Sequence, residues 1–166
     1  MKGVARLLVV HHSPTPTTQA LADAVIAGTH DEAITGVEVV VRRALEASAE
    51  DVLSADGYLL GTSANFGYMS GALKHFFDTI FLQAGGALSA DGSARESTGG
   101  RKPYGLWVHG RYDTTGAVRS VQSIVQALAW KQAAPVLEII GDVDDTRRDR
   151  AYELGGTLAA LLLGSK

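Results

Sequence analysis

Apolar residues in this chain fall into runs of two alternating kinds. Val4 to Val10 is apolar except for Arg6, the mark of a strand covered on both faces. Leu21, Ala24, Val25 and Gly28 then recur at helical spacing and stop at a glycine. Val37 to Val41 reads as a second strand, Leu45 to Leu53 as a loop with a short helix, and Tyr58 to Gly61 as a third strand entered through Asp56-Gly57. Met69, Leu73, Phe76, Phe77 and Ile80 line one side of a helix that Ser70 can cap. Leu106 to Val108 forms the core of a fourth strand. The helix after it carries the stripe Val118, Val121, Val125 and Leu128, with Thr114 or Thr115 as its cap. Pro135 to Ile140 reads as the fifth strand, with proline tolerated at its first position. Asp144 and Asp145 stand where acids favour a helix N-terminus, and the stripe of that last helix is Ala151, Leu154, Leu158 and Leu161.

Strands alternating with helices in five rounds predict an α/β fold with a doubly wound parallel sheet. Right-handed crossovers place the strand-to-helix loops on one edge of such a sheet, where ligands bind. The length of 166 residues suits one domain spanning 1–166, and no repeat or linker divides it. Gly85 to Gly100, rich in Gly, Ser and Ala, reads as a mobile surface loop or small excursion. A formal charge of −3 is too mild for a nucleic-acid binder, which would gather Lys and Arg on one face. Cysteine is absent, which excludes disulfides, thiolate metal sites and a cysteine nucleophile, and fits a cytoplasmic protein. Lys2 and Arg6 precede an apolar run too short for a signal peptide, and no run approaches the roughly 20 apolar residues of a membrane span.

Three loops carry the candidate chemistry. The first, His12 to Thr18, brings the hydroxyls of Ser13, Thr15, Thr17 and Thr18 to the start of a helix, where free amides and the macrodipole favour an anion. It has neither the lysine and glycines of a P-loop nor a G-x-G-x-x-G, so a single phosphate monoester suits it better than a triphosphate or a dinucleotide. A plain Thr/Pro-rich helix cap would use the same residues. The second loop, Gly61 to Lys74, presents Phe66 and Tyr68 as flat apolar surfaces beside Asn65 and Gly67; the plainer alternative is a turn whose aromatics pack on the core. The third, His109 to Gly116, holds a cation, an aromatic, an acid and two glycines.

Other chemistries find less support. His11 and His12 are neighbours on a strand end, so their side chains point to opposite faces and cannot grip one ion; no H-x-x-x-H occurs, and no metal is expected. Ser13 is not set in a G-x-S-x-G elbow. A phospho-receiver domain needs acids after strand one and an aspartate after strand three, where His12-Ser13 and Thr62-Ser63 stand instead. Trp107 and Trp130 read as core or interface residues.

Together these residues resemble the flavodoxin-like superfamily, particularly its NAD(P)H-dependent FMN reductases and quinone reductases. The most specific segment is Gly61 to Asp78, a G-T-x-x-x-F-G-x-M-x-G-x-x-K-x-F-x-D pattern similar to that family's second flavin loop and helix. Ser13-x-Thr15-x-x-Thr18 resembles its phosphate loop, departing by Pro16 where a glycine is usual. The resemblance implies a five-stranded sheet in the order 2-1-3-4-5 with helices on both faces. It implies FMN held at its phosphate by Ser13, Thr15, Thr17 and Thr18. Ser63, Ala64, Asn65, Phe66, Gly67 and Tyr68 would line the isoalloxazine ring, and His109, Gly110, Arg111, Tyr112, Asp113 and Thr114 would approach its pyrimidine edge. Donors from Gly110, Arg111 or Tyr112 would stabilise negative charge at N1 and O2 of the reduced ring, while Asp113 would serve the helix or the ribityl hydroxyls.

The activity so implied passes hydride or electrons from NAD(P)H as co-substrate through FMN to a quinone or similar small acceptor. No side-chain acid or base is required, and Tyr68, Arg111 and Tyr112 would shape the acceptor site. One alternative is a flavodoxin-type electron carrier between protein partners, against which the mild charge leans because such carriers present strongly acidic faces. Another is a domain that has lost FMN and serves as an interaction module, kept open by Pro14 and Pro16. Many such relatives are dimers or tetramers whose neighbours complete the pocket, so a homodimer or homotetramer stays open too.

Overall fold

The structure is a computed structural model that describes residues 3–85, 91, 93 and 100–164. The expected excursion at 85–100 therefore lies almost wholly outside the described residues.

The main sheet is parallel and runs β2 (Val37–Arg43), β1 (Ala5–His11), β3 (Gly57–Asn65), β5 (Pro103–Gly110), with two short strands, β6 (Lys131–Gln132) and β7 (Leu137–Ile140), end to end along the far flank of β5. The expected order 2-1-3-4-5 is observed. Three elements differ from the sequence reading. The fifth strand is split, because Ala133 to Val136 breaks the ladder and Pro135, which has no N–H to donate, falls in the break rather than at a strand start. The third strand runs on to Asn65 and folds back through β4 (Tyr68–Met69). Met69 thus belongs to a hairpin, and the helix behind it, α3 (Gly71–Ile80), begins two residues later.

β1 is buried on both faces, and its alternate residues feed two cores. Leu8 and Val10, with Leu60, Leu106 and Val108, meet Leu73, Phe76, Phe77 and Ile80 of α3 and Ala117, Val121 and Val125 of α4 (Thr115–Ala127). A small helix, α2 (Ala49–Ser54), seats Val52 on the same side. Leu7 and Val9, with Leu59 and Trp107, meet α1 (Pro16–Thr29) and α5 (Asp145–Gly164). Each large apolar side chain so enclosed contributes about 1.5–3 kcal/mol. Both tryptophans belong to these cores: Trp107 is buried, and Trp130 stacks on Tyr58 with ring centroids 3.9 Å apart.

α1 and α5 cross at backbone contact. A Cβ on Gly155 would sit 1.9 Å from the Val25 carbonyl oxygen, and one on Gly28 would sit 1.9 Å from that of Tyr152. That seam sets the rotation of α5. Leu162 is buried and Leu161 is left 44% exposed, so the stripe closes one residue later than its sequence spacing suggests. Ser70 caps α3 as expected, accepting from the Leu73 amide at 3.2 Å. Neither candidate hydroxyl caps α4. Thr114 precedes that helix but donates its hydroxyl to Glu138 Oε1 of β7 at 2.7 Å, and the Thr115 amide is taken by Asp113 Oδ1 at 3.0 Å.

Candidate functional site

The C-terminal ends of β1, β3 and β5 share one edge of the sheet, and the three loops singled out from sequence leave from it.

At the first, Thr15 is the N-cap of α1 and Thr18 its reciprocal partner. The Thr15 amide donates to Thr18 Oγ1 at 3.0 Å, the Thr18 amide donates to Thr15 Oγ1 at 3.2 Å, and the two hydroxyls lie 2.8 Å apart. Pro16 stands at the first helical position, where its missing N–H costs nothing, so proline does not spoil this loop. Thr15 and Thr18 are largely committed to each other, which leaves the exposed Thr17 and Ser13, whose hydroxyl also meets His11. The first turn of α1 carries no acid, so no side chain of that turn offsets the positive end of the helix. Ser13 Oγ is 2.8 Å from Nδ1 of His11, a residue whose sequence position by itself suggests no role beyond a metal ligand. Burial lowers the pKa of that imidazole.

At the second, Asn65 pairs with Tyr68 across a two-residue turn of Phe66 and Gly67. Both turn residues have positive φ, +51° and +77°, as a type I′ hairpin requires. Gly67 adopts this at no steric cost, whereas a phenylalanine there is strained by about 1–2 kcal/mol. The ring that the strain displays faces solvent: Phe66 is fully exposed. The reading in which both loop aromatics pack on the core fails for Phe66, and Tyr68 is also exposed, at 43%. The turn itself is held firmly. A Cβ on Gly116 of α4 would lie 2.0 Å from the Gly67 carbonyl oxygen, Ser120 Oγ accepts from the Met69 amide, and Thr62 Oγ1 accepts from the Ser70 amide. A strained, solvent-facing aromatic on a clamped turn makes Phe66 a candidate functional position.

At the third, Tyr112 is 87% exposed. It shares with Phe66 an open cleft of about 370 Å³, whose other walls are Ala64, Gly67, Arg111 and Asp113. That is within the roughly 300–1,000 Å³ of small-molecule sites. Arg111 faces Asp142 at 3.6 Å, a solvent-exposed pair of little energetic weight. Asp113, held ionised below the usual carboxylate range by the Thr115 amide, serves the start of α4. His109 Nε2 is 2.7 Å from the Gly141 carbonyl oxygen, tying this loop to the one after β7.

The structure thus gathers six of the expected ring-side residues, Ala64, Phe66, Gly67, Arg111, Tyr112 and Asp113, around one cleft. Ser63, Asn65, Tyr68, His109, Gly110 and Thr114 are near them in sequence but outside its lining, and Gly110 and Thr114 are buried. A separate groove between the β6–β7 break and α5, lined by Ala133 to Leu137, Arg150, Glu153, Leu154 and Thr157, collects none of the residues expected to act. Among the described residues no three of His, Asp and Glu gather as a metal site, and no helix is long and apolar enough to cross a membrane.

This architecture is the flavodoxin-like α/β fold, a parallel sheet with helices on both faces. An archaeal flavodoxin superposes with a TM-score of 0.76 over 95% of this chain and 99% of its own, at 17% identity. A flavodoxin of Streptococcus pneumoniae does so with a TM-score of 0.72 over 95% and 99%, at 22% identity. The flavodiiron core of Flv1 from Synechocystis reaches 0.76 at 14% identity, covering 98% of this chain and 37% of that one. In sequence, a flavodoxin of Aquifex aeolicus is 35% identical over 77 residues, which make up 46% of this chain and 40% of that protein. The match therefore spans less than half of the relative's length. No protein-family model matches the chain.

Proposed function

We propose that the protein holds FMN at this edge and works as a flavodoxin-type electron carrier. The observation that carries the proposal is the cleft with Phe66 and Tyr112 on its walls, both displayed to solvent and one at a backbone cost. Two exposed aromatics on successive crossovers match the chemistry of a flat, apolar, electron-poor ring, because offset stacking rewards such pairs beyond area alone. The donor set at the first crossover fits the rest of the ligand. Hydroxyls of Ser13 and Thr17, first-turn amides and an acid-free helix start suit a phosphate monoester. Arg111 and Tyr112 supply donors on the cleft side, while Asp113 is turned to its own helix.

When bound, FMN supplies both one-electron and hydride chemistry, and the chain selects between them by what it leaves accessible. Hydride transfer from a nicotinamide needs an open ring face. A ring lying between Phe66 and Tyr112 would have aromatic cover from the same chain on both sides, which favours exchange of electrons at the ring edge. The sequence similarity to a flavodoxin supports the same reading over the NAD(P)H-dependent quinone reductase that the sequence resemblance put first. The reductase keeps second place on one observation, the mild formal charge of −3 for the whole chain, with Arg111 placed at the cleft and facing Asp142.

FMN-loaded protein is expected to pass electrons from a photoreductant to a one-electron protein acceptor, and to oxidise neither NADH nor NADPH at a comparable rate with a quinone present. Rapid NAD(P)H oxidation would reverse the order of the two readings; no visible flavin spectrum after FMN supplementation would remove both.

A further inference from the structure

We propose that His11 is a positioning residue for the anion at the first crossover: its Nδ1–H donates to Ser13 Oγ and leaves the Ser13 proton free to point at the phosphate. The inference rests on the FMN reading and adds to it a residue outside the loop.

His11 closes β1 and is only 6% exposed, so its ring is held in place. The sheet register explains how. His11, Gly61 and Trp107 are successive partners across β1, β3 and β5. A Cβ on Gly61 would lie 2.0 Å from the Trp107 ring, so the glycine is what lets the indole lie across β3 toward the histidine. The two ring centroids stand 6.3 Å apart. The backbone is pinned as well, since the Ala44 amide donates to the His11 carbonyl and the His12 amide to that of Gly61. From this seat Nδ1 reaches Ser13 Oγ at 2.8 Å.

The direction of that bond decides what Ser13 can do, because a serine hydroxyl has one proton. If the imidazole accepts, the proton is used and Ser13 turns only lone pairs toward an anion. If the imidazole donates, the proton is free for the phosphate. A neutral ring can take either role by changing tautomer, and a protonated ring can only donate. An anion seated at Ser13 therefore selects the Nδ1–H forms and favours the cation among them. Of the charged groups around the ring, Asp23 of α1 favours protonation, while His12, just past β1, and Arg43, the last residue of β2, oppose it. β3 and β5 face it with Gly61 and Trp107, which carry no charge. Burial outweighs these and keeps the ring below the ordinary 6.5 in the free protein, so the anion meets a largely neutral imidazole at pH 7.

The test compares FMN with riboflavin, which lacks the phosphate, by quenching of flavin fluorescence in wild type, His11→Phe and His11→Asn. Phenylalanine keeps a ring against Trp107 and removes the donor, whereas asparagine places an amide N–H where Nδ1 stood. In His11→Phe the Ser13 hydroxyl keeps its proton but is neither held toward the phosphate nor polarised by an Nδ1–H, so FMN should weaken by up to about tenfold and riboflavin should be unchanged. His11→Asn should bind FMN within about threefold of wild type. NMR of the wild-type imidazole needs no variant and should show its pKa rising on addition of FMN but not of riboflavin. Equal losses for both flavins in His11→Phe, or no loss for either, overturns the proposal, as does an imidazole indifferent to FMN. A wild type that binds neither flavin overturns the FMN reading itself and this inference with it.

Discussion

Phe66 is the position where stability and binding pull in opposite directions. Its φ of +51° lies in the left-handed region, which disfavours a phenylalanine by about 1–2 kcal/mol but which asparagine visits readily. The ring is fully exposed, so removing it forfeits no packing in the free protein. Phe66→Asn also puts an asparagine directly before Gly67, the preferred Asn-Gly pair for a type I′ turn. The ligand-free variant should be more stable by about 1 kcal/mol, a rise in Tm of about 2–4 °C for a chain of this size. The same change removes one wall of the aromatic cleft. A stacked aromatic pair is worth about 0.5–1.5 kcal/mol beyond area, so FMN should bind roughly two- to tenfold more weakly, with more lost from the ring's buried area. Thermal unfolding of the ligand-free protein and a flavin titration read the two effects separately. A variant that is less stable than wild type without ligand would show that the ring packs on its own chain. One that binds FMN as well as wild type would show that Phe66 is not a wall of the site.

Two further substitutions test the frame. Gly155→Ala would drive a methyl to within 1.9 Å of the Val25 carbonyl, backbone that cannot swing aside. Despite alanine's better helix propensity it should cost about 1–3 kcal/mol, seen as a Tm several degrees lower; an unchanged Tm would mean that α1 and α5 do not cross at this depth. The depressed pKa of His11 makes ligand-free stability depend on pH. The unfolded chain takes up this proton near 6.5 and the folded one only at lower pH, so His11 costs nothing above 6.5 and destabilises progressively as the pH falls below it. His11→Asn should remove that part of the acid-side decline in urea unfolding, and a slope identical to wild type would show His11 to be accessible to protons.

Strand and helix identity was largely legible along the chain, because each element here has one dominant demand. β1 is buried on both faces and reads as unbroken apolar sequence; α3 buries one stripe and reads as 3.6-residue spacing. The misreadings came where an element answers to a neighbour. The β6–β7 break, the β4 hairpin and the shift from Leu161 to Leu162 all depend on what packs alongside. Thr114 shows the same thing at one side chain: its hydroxyl suits a helix cap by sequence, yet Glu138 on another strand takes it.

At the site, residue types and spacing alone singled out the three loops and the hydroxyl, aromatic and cationic groups they carry. Which of those groups meet was decided by the tertiary structure. Phe66 and Tyr112 share a cleft because adjacent parallel strands deliver their loops to one edge, and Phe66 faces solvent because a clamped turn forces its backbone past φ = 0. His11 touches Ser13 within a stretch of three residues, but what holds its ring comes from across the sheet, through a glycine on β3 and an indole on β5. Periodicity records which face of its own element a residue occupies; the partner across a sheet or a helix crossing is chosen by register and close packing, which leave no trace in local spacing.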